Sequence, residues 1–444
     1  MTLAILMIIA LAWGFWAWKQ PAQAFAFLPL ALPTYVIRTN IGPLPTTMLE
    51  LIIGATVIGW MLHKVRGQEG WIAGMTKRIK SGWEAFRPWK WIAGCWLLAG
   101  FISIFVSPNH LAAIGLYRAY FIEPLLLFFI GLNIRDQKTT FKLTDLPTYR
   151  LTDFLAIAVI ILGLWSIVQM TTGWGIPDPW NFVPGRRAVG PFPFPNALAL
   201  FVTPIAAFLF ADLIRGWKKK GETCTWIVTP WLSIPGYLLS LVSIILAASD
   251  GGLIALGAAS FFVLVFNRRT RLLGISLAIL GTIFIASIAP LRERVTTVIM
   301  FREWSSKVRI VMWQETLMML KDHKIMGAGL GGYPFVIRVY HRSGDWMEVF
   351  QYPHNVILNL WSEIGLFGLF VFGWILLKWT WGENKFRWNH VALVLPMIVA
   401  ILVHGLVDVP YFKNDLAILF WLLILVTMHD GNKSAEKPSD VLTS

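Results

Sequence analysis

SSKVRIVMWQETLMMLKDHKIMGAGLGGYPFVIRVYHRSGDWMEVFQYPHNVILNLWSEIG, residues Ser305–Gly365, is the longest polar-containing interval between apolar runs of the chain. It joins Arg309, on an amphipathic helical pattern, to His354, at the mouth of the next apolar run. A loop of this size, bounded on both sides by apolar runs, is where a membrane protein would place polar chemistry.

Outward from this stretch, the chain is 57% hydrophobic and only 14% charged over 444 residues, against about 25% charged in a soluble domain. The apolar residues come in blocks of about 17–24, each long enough to cross roughly 30 Å of hydrocarbon. Backbone exposed to lipid must satisfy its own hydrogen bonds, so such blocks form helices. The pattern predicts an all-α polytopic membrane protein of about 12–13 transmembrane helices. The expected spans are 2–18, 22–38, 47–63, 90–107, 111–133, 152–170, 196–216, 225–248, 251–267, 272–289, 354–379, 391–409 and 412–428. The second is short and holds Pro29 and Pro33, which predicts a broken or re-entrant segment. The N-terminal run ends in Ala22-Gln23-Ala24, like a signal-peptide cleavage site, but lacks a basic start; a retained first helix is expected. The 24 tryptophans suit belts at headgroup level.

A net charge of +14 raises the question of nucleic acid. The placement of the basic residues excludes that reading, because they fall in alternate short loops, the positive-inside pattern. Lys64, Arg66, Lys77, Arg78, Lys80, Arg87 and Lys90 mark one cytoplasmic loop, and Arg135, Lys138, Lys142 and Arg150 the next. Arg215 with Lys218–Lys220, Arg268–Arg271, and Lys378 with Lys385 and Arg387 continue the series. The alternation puts 171–195, 248–251, 290–353 and 410–412 on the outer side. Thirteen crossings need the N-terminus outside; twelve put it inside. The expected organisation is a bundle over 1–289, an extracytoplasmic loop with an interfacial helix over 290–353, closing helices over 354–429, and a disordered cytoplasmic tail over 430–444. Cys95 and Cys224 are far apart and support neither a disulfide framework nor a thiolate metal site.

Two outer loops break the charge rule. The first carries Arg186 and Arg187 before a helix expected to open near Pro195-Asn196. Fork-shaped donors beside a helix N-terminus match phosphate oxygens; headgroup binding or loop folding is the plain alternative. The second holds residues 305–321, where Ile310, Trp313, Leu317 and Leu320 form an apolar stripe. This predicts a helix at the membrane surface with Arg309 near its start. Gly327-Ala-Gly-Leu-Gly-Gly332 satisfies a dinucleotide pattern, but it follows a helix rather than a strand and lies outside. A sharp turn is the better reading, with an anion site left open. His354-Asn355 opens the next span, followed by Glu363; an imidazole there suits a general base, although a lone interfacial histidine is ordinarily a boundary residue. His404 and Asp408, four apart, share a helix face and would orient a base; two ligands are too few for a metal site. Arg118 and Glu123 lie within a span, where a structural ion pair and a substrate contact are equally open.

Arg-Ala-x-Gly-x-Phe-x-x-Pro-Asn (187–196), Arg-x-x-x-Trp-x-x-x-Leu (309–317), Gly-x-Gly (327–329), His-Asn-x-x-Leu (354–358) and Glu-x-Gly (363–365), in this order and on the outer side, resemble the O-antigen ligase and polymerase superfamily. The resemblance covers roughly Trp180 to Asp408. It implies a GT-C-like, metal-independent glycosyltransferase without a cofactor in the bacterial cytoplasmic membrane. Such an enzyme takes a glycan from an undecaprenyl-diphosphate carrier on the extracytoplasmic side and passes it to a glycan, lipid or protein acceptor. Carried over by position, Arg187 and Arg309 would bind the diphosphate, and His354 would take or orient the acceptor proton. Arg186, Asn196, Asn355, Glu363, His404, Asp408 and Arg118 are the accompanying substrate-site candidates. One departure stands out: many relatives carry Ser-Arg-Gly where this chain has Ser249-Asp250-Gly251-Gly252, and Arg186 is a candidate to compensate. A polymerase of O-antigen or exopolysaccharide is the nearest alternative, a transporter of the same lipid-linked glycan the alternative of another class, and an inactive lipid-binding scaffold a third.

Overall fold

The computed structural model describes residues 3–42, 44–65, 80, 82–135, 150–216, 227–300, 302–341, 349–382 and 388–428. The expected cytoplasmic tail, Cys224, and many of the basic loop residues, among them Arg66, Lys77, Lys138, Lys142, Lys218–Lys220, Lys385 and Arg387, lie outside the described residues.

The chain folds as an all-α, multi-pass membrane protein. In order, the helices are α1 (Leu3–Lys19), α2 (Pro21–Ala26), α3 (Leu28–Ala31), α4 (Met48–Val65), α5 (Lys90–Val106), α6 (His110–Tyr117), α7 (Glu123–Arg135), α8 (Leu151–Thr172), α9 (Pro195–Gly216) and α10 (Pro230–Leu246). They continue as α11 (Asp250–Phe266), α12 (Arg271–Ser287), α13 (Ala289–Ile299), α14 (Trp304–Asp322), α15 (Tyr333–Val336), α16 (Val356–Trp381), α17 (Trp388–Gly405) and α18 (Asn414–Thr427). Among the described residues six helical stretches are long and apolar enough to cross a membrane, a bent pair adds one more, and five are shorter apolar helices, twelve in all.

The missing thirteenth is the expected span 22–38. Proline there removes amide donors and caps each turn, so the chain makes two short helices and a 3₁₀ turn over Leu32–Val36. A small antiparallel hairpin follows, β1 (Arg38–Ile41) with β2 (Leu44–Thr47). Thr47 and Glu50 then form a reciprocal cap at the start of α4: Glu50 N donates to the Thr47 hydroxyl and the Glu50 carboxylate accepts from Thr47 N.

Two helices form the centre. α9 is buried along nearly its whole length and packs against α8, α10, α11, α17 and α18. α18 is buried continuously from Asp415 to Thr427. A helix apolar all round belongs in such a position. α12 is the opposite case: only Gly274 is buried, and Leu272 is 78% exposed, a lipid-facing surface. The expected span 272–289 ends at a 105° bend, and α13 continues as a separate helix. The expected loop boundary at 290 therefore falls inside helix.

Within Ser305–Gly365, the expected helix is present as α14, but its inward face differs. Val308, Met312, Thr316, Met319 and Leu320 are buried, whereas Leu317 is 46% exposed. The helix carries apolar residues on more than one side, and the side with short or flexible chains is the one that packs closely. The glycine segment is a turn. Gly327, Gly329 and Gly331 all have positive φ, and a Cβ on Gly329 would strike the backbone of Val106 and Ser107. Its amides are used internally: Ala328 N donates to Ser362 O and Leu330 N to Ser103 O. Gly331 N donates to the Glu363 carboxylate.

Candidate active site

At one end of the bundle the start of α16, the end of α17, the segment 173–194 and the start of α14 meet. His354 precedes α16 and has φ 46°, a left-handed conformation that costs a residue with a Cβ about 1–2 kcal/mol. Neighbouring contacts hold it there. Asn355 caps α16, accepting from Ile357 N and Leu358 N, and donates to Leu406 O beyond α17. Trp313 of α14 donates to Pro353 O. A Cβ on Gly405 would strike Val356, so only glycine lets the two helix ends approach this closely.

So placed, His354 Nδ1 lies 3.3 Å from Asp408 Oδ1. Asp408 also accepts from Val409 N, and its Oδ2 is buried without a partner among the described residues. With Nδ1–H directed at the carboxylate, Nε2 is the nitrogen left to accept a proton. Burial alone would raise the Asp408 carboxyl; the hydrogen bond and electrostatic pull of His354, with Lys413 and His404 behind them, outweigh it and hold the group well below the carboxylate range. The rings of Tyr352 and Phe350 flank the imidazole, at 4.7 and 5.8 Å between centroids.

Arg187 approaches from the segment before α9. Its Nε donates to Ala247 O at 2.8 Å, and Nη2 to Ala248 O and Asn196 Oδ1. Ala248 itself has φ 46°, and the guanidinium lies over Trp180. Burial lowers the pKa of Arg187, Asp250 opposes that, and nearby Arg309 adds to it. Arg309 has a buried Nε without a hydrogen-bond partner and no carboxylate partner among the described residues. His404 is 2% exposed with Nδ1 unpartnered. A Cβ on Gly251 would strike Val407 and press on the His404 ring, so glycine at the start of α11 lets the end of α17 approach closely. The structure thus brings Arg187, Arg309, His354, His404 and Asp408 together, with Asn196 and Asn355 as their supports.

Three candidates stand elsewhere. Arg186 donates to Met170 O at the end of α8 and does not join Arg187. The position opposite the Ser249-Asp250 departure is taken by Arg294 of α13, which pairs with Asp250 and Glu303. Glu363 lies in α16, nine residues beyond His354 and thus about 13 Å along the helix, bound to the glycine turn. Arg118 pairs with Glu50 at 2.6 Å and Glu123 at 3.2 Å.

Sequence reading missed Lys413. It stands on the same segment as Asp408 and directs its ammonium over the rings of Phe194 and Tyr352. The signal was available: like Arg187 and Arg309, it is a cation at an end of the bundle where the charge rule predicts none. An expected span starting at 412 concealed it. Among the described residues no group of three His, Cys, Asp or Glu side chains is spaced to hold a metal ion. A cavity of about 700 Å³ lies between Tyr35–Arg38 and the segments around Ile176 and Phe192, and none of Arg187, Arg309, His354, His404 and Asp408 lines it.

Residues 235–373 match the family model described as O-Antigen ligase. The match runs from within α10 into α16 and includes Arg309 and His354; Arg187, His404 and Asp408 lie outside it. No curated protein matches the chain. The matched segment, about a third of the chain, lies within a multi-pass helical bundle and is similar to the O-antigen ligase family.

Proposed function

We propose that the protein transfers a glycan from an undecaprenyl-diphosphate carrier to an acceptor hydroxyl, at the extracytoplasmic end of a bundle in the bacterial cytoplasmic membrane. The observation that carries the reading is a His354–Asp408 pair beside two guanidiniums that lack carboxylate partners. In the step proposed, the acceptor oxygen bonds to the sugar's anomeric carbon as its proton passes to His354 Nε2. The bond from that carbon to the diphosphate oxygen breaks, and the electron pair leaves with the diphosphate. Asp408 holds the imidazole oriented and stabilises its protonated form. Arg187 and Arg309 face the charge that develops on the leaving group, in a setting where fixed cations act more strongly than in water. They supply the charge that a divalent ion supplies in other sites, so no step is assigned to a metal.

The test uses purified protein in detergent with an undecaprenyl-diphosphate oligosaccharide and candidate acceptors. Transfer without added metal that is abolished in folded His354→Ala and Arg309→Ala supports the reading. The acceptor that works, lipid A–core or a growing carrier-linked glycan, decides ligase against polymerase. Carrier binding or movement with no transfer to any acceptor overturns it in favour of a transporter.

A further inference from the structure

Lys413 sits in a place that helix stability does not explain. It precedes α18, the positive end of a helix dipole, where a cation is unfavourable. Its Nζ is shielded from solvent and has no hydrogen-bond partner among the described residues. Nζ lies 4.3 Å from the centroid of Phe194 and 5.8 Å from that of Tyr352. Asp408 and Asp415 are within electrostatic reach, yet neither forms a bond with it. Cation–π contact recovers part of the lost hydration, but a buried ammonium without an acceptor remains costly.

The neighbours define what it faces. Phe194 stands two residues before Asn196, which accepts from Arg187. Tyr352 packs on His354. His404 feels Asp408, Lys413 and Arg309 together. Lys413 therefore joins Arg187 and Arg309 as a third cation near the His354–Asp408 pair, with Asp250, Asp408 and Asp415 the carboxylates within electrostatic reach of these cations.

We infer that Lys413 is the third cation of the diphosphate site and donates its ammonium hydrogens to a phosphate oxygen of the lipid-linked donor. The inference rests on the glycan-transfer reading above. An ammonium is a compact donor of three hydrogen bonds and serves a phosphate as a point charge, complementing the flat guanidiniums.

The experiment measures binding of undecaprenyl diphosphate to purified full-length protein in detergent, for the native chain, Lys413→Gln, Asp415→Asn and the double variant Lys413→Gln/Asp415→Asn. The double variant removes both local charges and stays informative if Lys413→Gln alone does not fold. Loss of one charge-assisted contact weakens affinity by about ten- to hundredfold. The expected result is that loss in Lys413→Gln and in the double variant, with Asp415→Asn alone near native. Native binding that is unchanged in Lys413→Gln, or restored in the double variant, overturns the assignment and makes the lysine a partner for the buried aspartates. No binding by the native protein overturns the donor reading itself.

Discussion

The imidazole of His354 and the carboxylate of Asp408 meet at 3.3 Å although they are 54 residues apart, one before α16 and the other just past α17. Asp408→Asn keeps the shape of this contact and removes its charge. The expected outcome is a fall in kcat of about a hundredfold with the donor KM little changed. The same variant has a pH signature. Because the native Asp408 carboxyl is held below its ordinary value, its contribution to stability is complete above about pH 4 and is lost as the pH falls toward the depressed value. The Tm difference between native and Asp408→Asn should therefore shrink as the pH falls below about 4. A difference that keeps growing below about pH 4 contradicts the pairing.

Position 354 separates function from stability. Its φ of 46° penalises any residue with a Cβ. His354→Gly should be more stable than His354→Ala by about 1 kcal/mol, since alanine keeps the strain and glycine does not. Both should be inactive. Thermal denaturation in detergent alongside the transfer assay reads the two effects separately, and equal Tm values for the two variants would argue that the backbone is not strained.

Much of this arrangement is legible in the sequence because two simple rules dominate a membrane chain. Apolar run length sets the helices, and basic residues set the ends of the bundle. Arg187 and Arg309 stood out as exceptions to the second rule, and both reach the site. Besides Lys413, three things escaped. Pro29 and Pro33 marked the segment 22–38 as irregular, but not that it ends in the β1–β2 hairpin and a Thr47–Glu50 cap, which need tertiary partners. The packing face of α14 escaped because periodicity shows that a face exists, and lipid accepts apolar residues on another side; Met312 and Met319 pack inward while Leu317 does not. Arg186 and Arg187 are adjacent and chemically identical, yet only coordinates show one bound to Met170 O and the other to Ala247 O.

The glycine segment gives a third test. A phosphate-binding turn would lose affinity on substitution while staying folded. Here Gly329→Ala would bring a Cβ into the backbone of Ser107 at a positive φ. The expected result is a loss of about 2–4 kcal/mol in stability, with donor affinity unchanged in the fraction that remains folded. Lowered affinity at unchanged Tm would return the segment to the binding site.

Arg118 offers the last discrimination, between a substrate contact and a structural ion pair. Its guanidinium lies between Glu50 and Glu123, whose side chains are 9% and 11% exposed. Glu50 in turn bonds the β2 residue Thr46 and Asn414 at the start of α18. Arg118→Ala therefore leaves two shielded carboxylates facing each other and loosens the join between the hairpin, α4 and α18. The cost should be about 2 kcal/mol, less than for a fully buried pair because Arg118 keeps contact with solvent. Arg118→Ala/Glu123→Gln should recover part of it, since the second change removes one of the stranded charges. Donor KM should stay within about twofold of native in both variants, because the arginine acts on the scaffold. A rise of tenfold or more in donor KM, uncorrected by Glu123→Gln, would instead make Arg118 a substrate-binding residue.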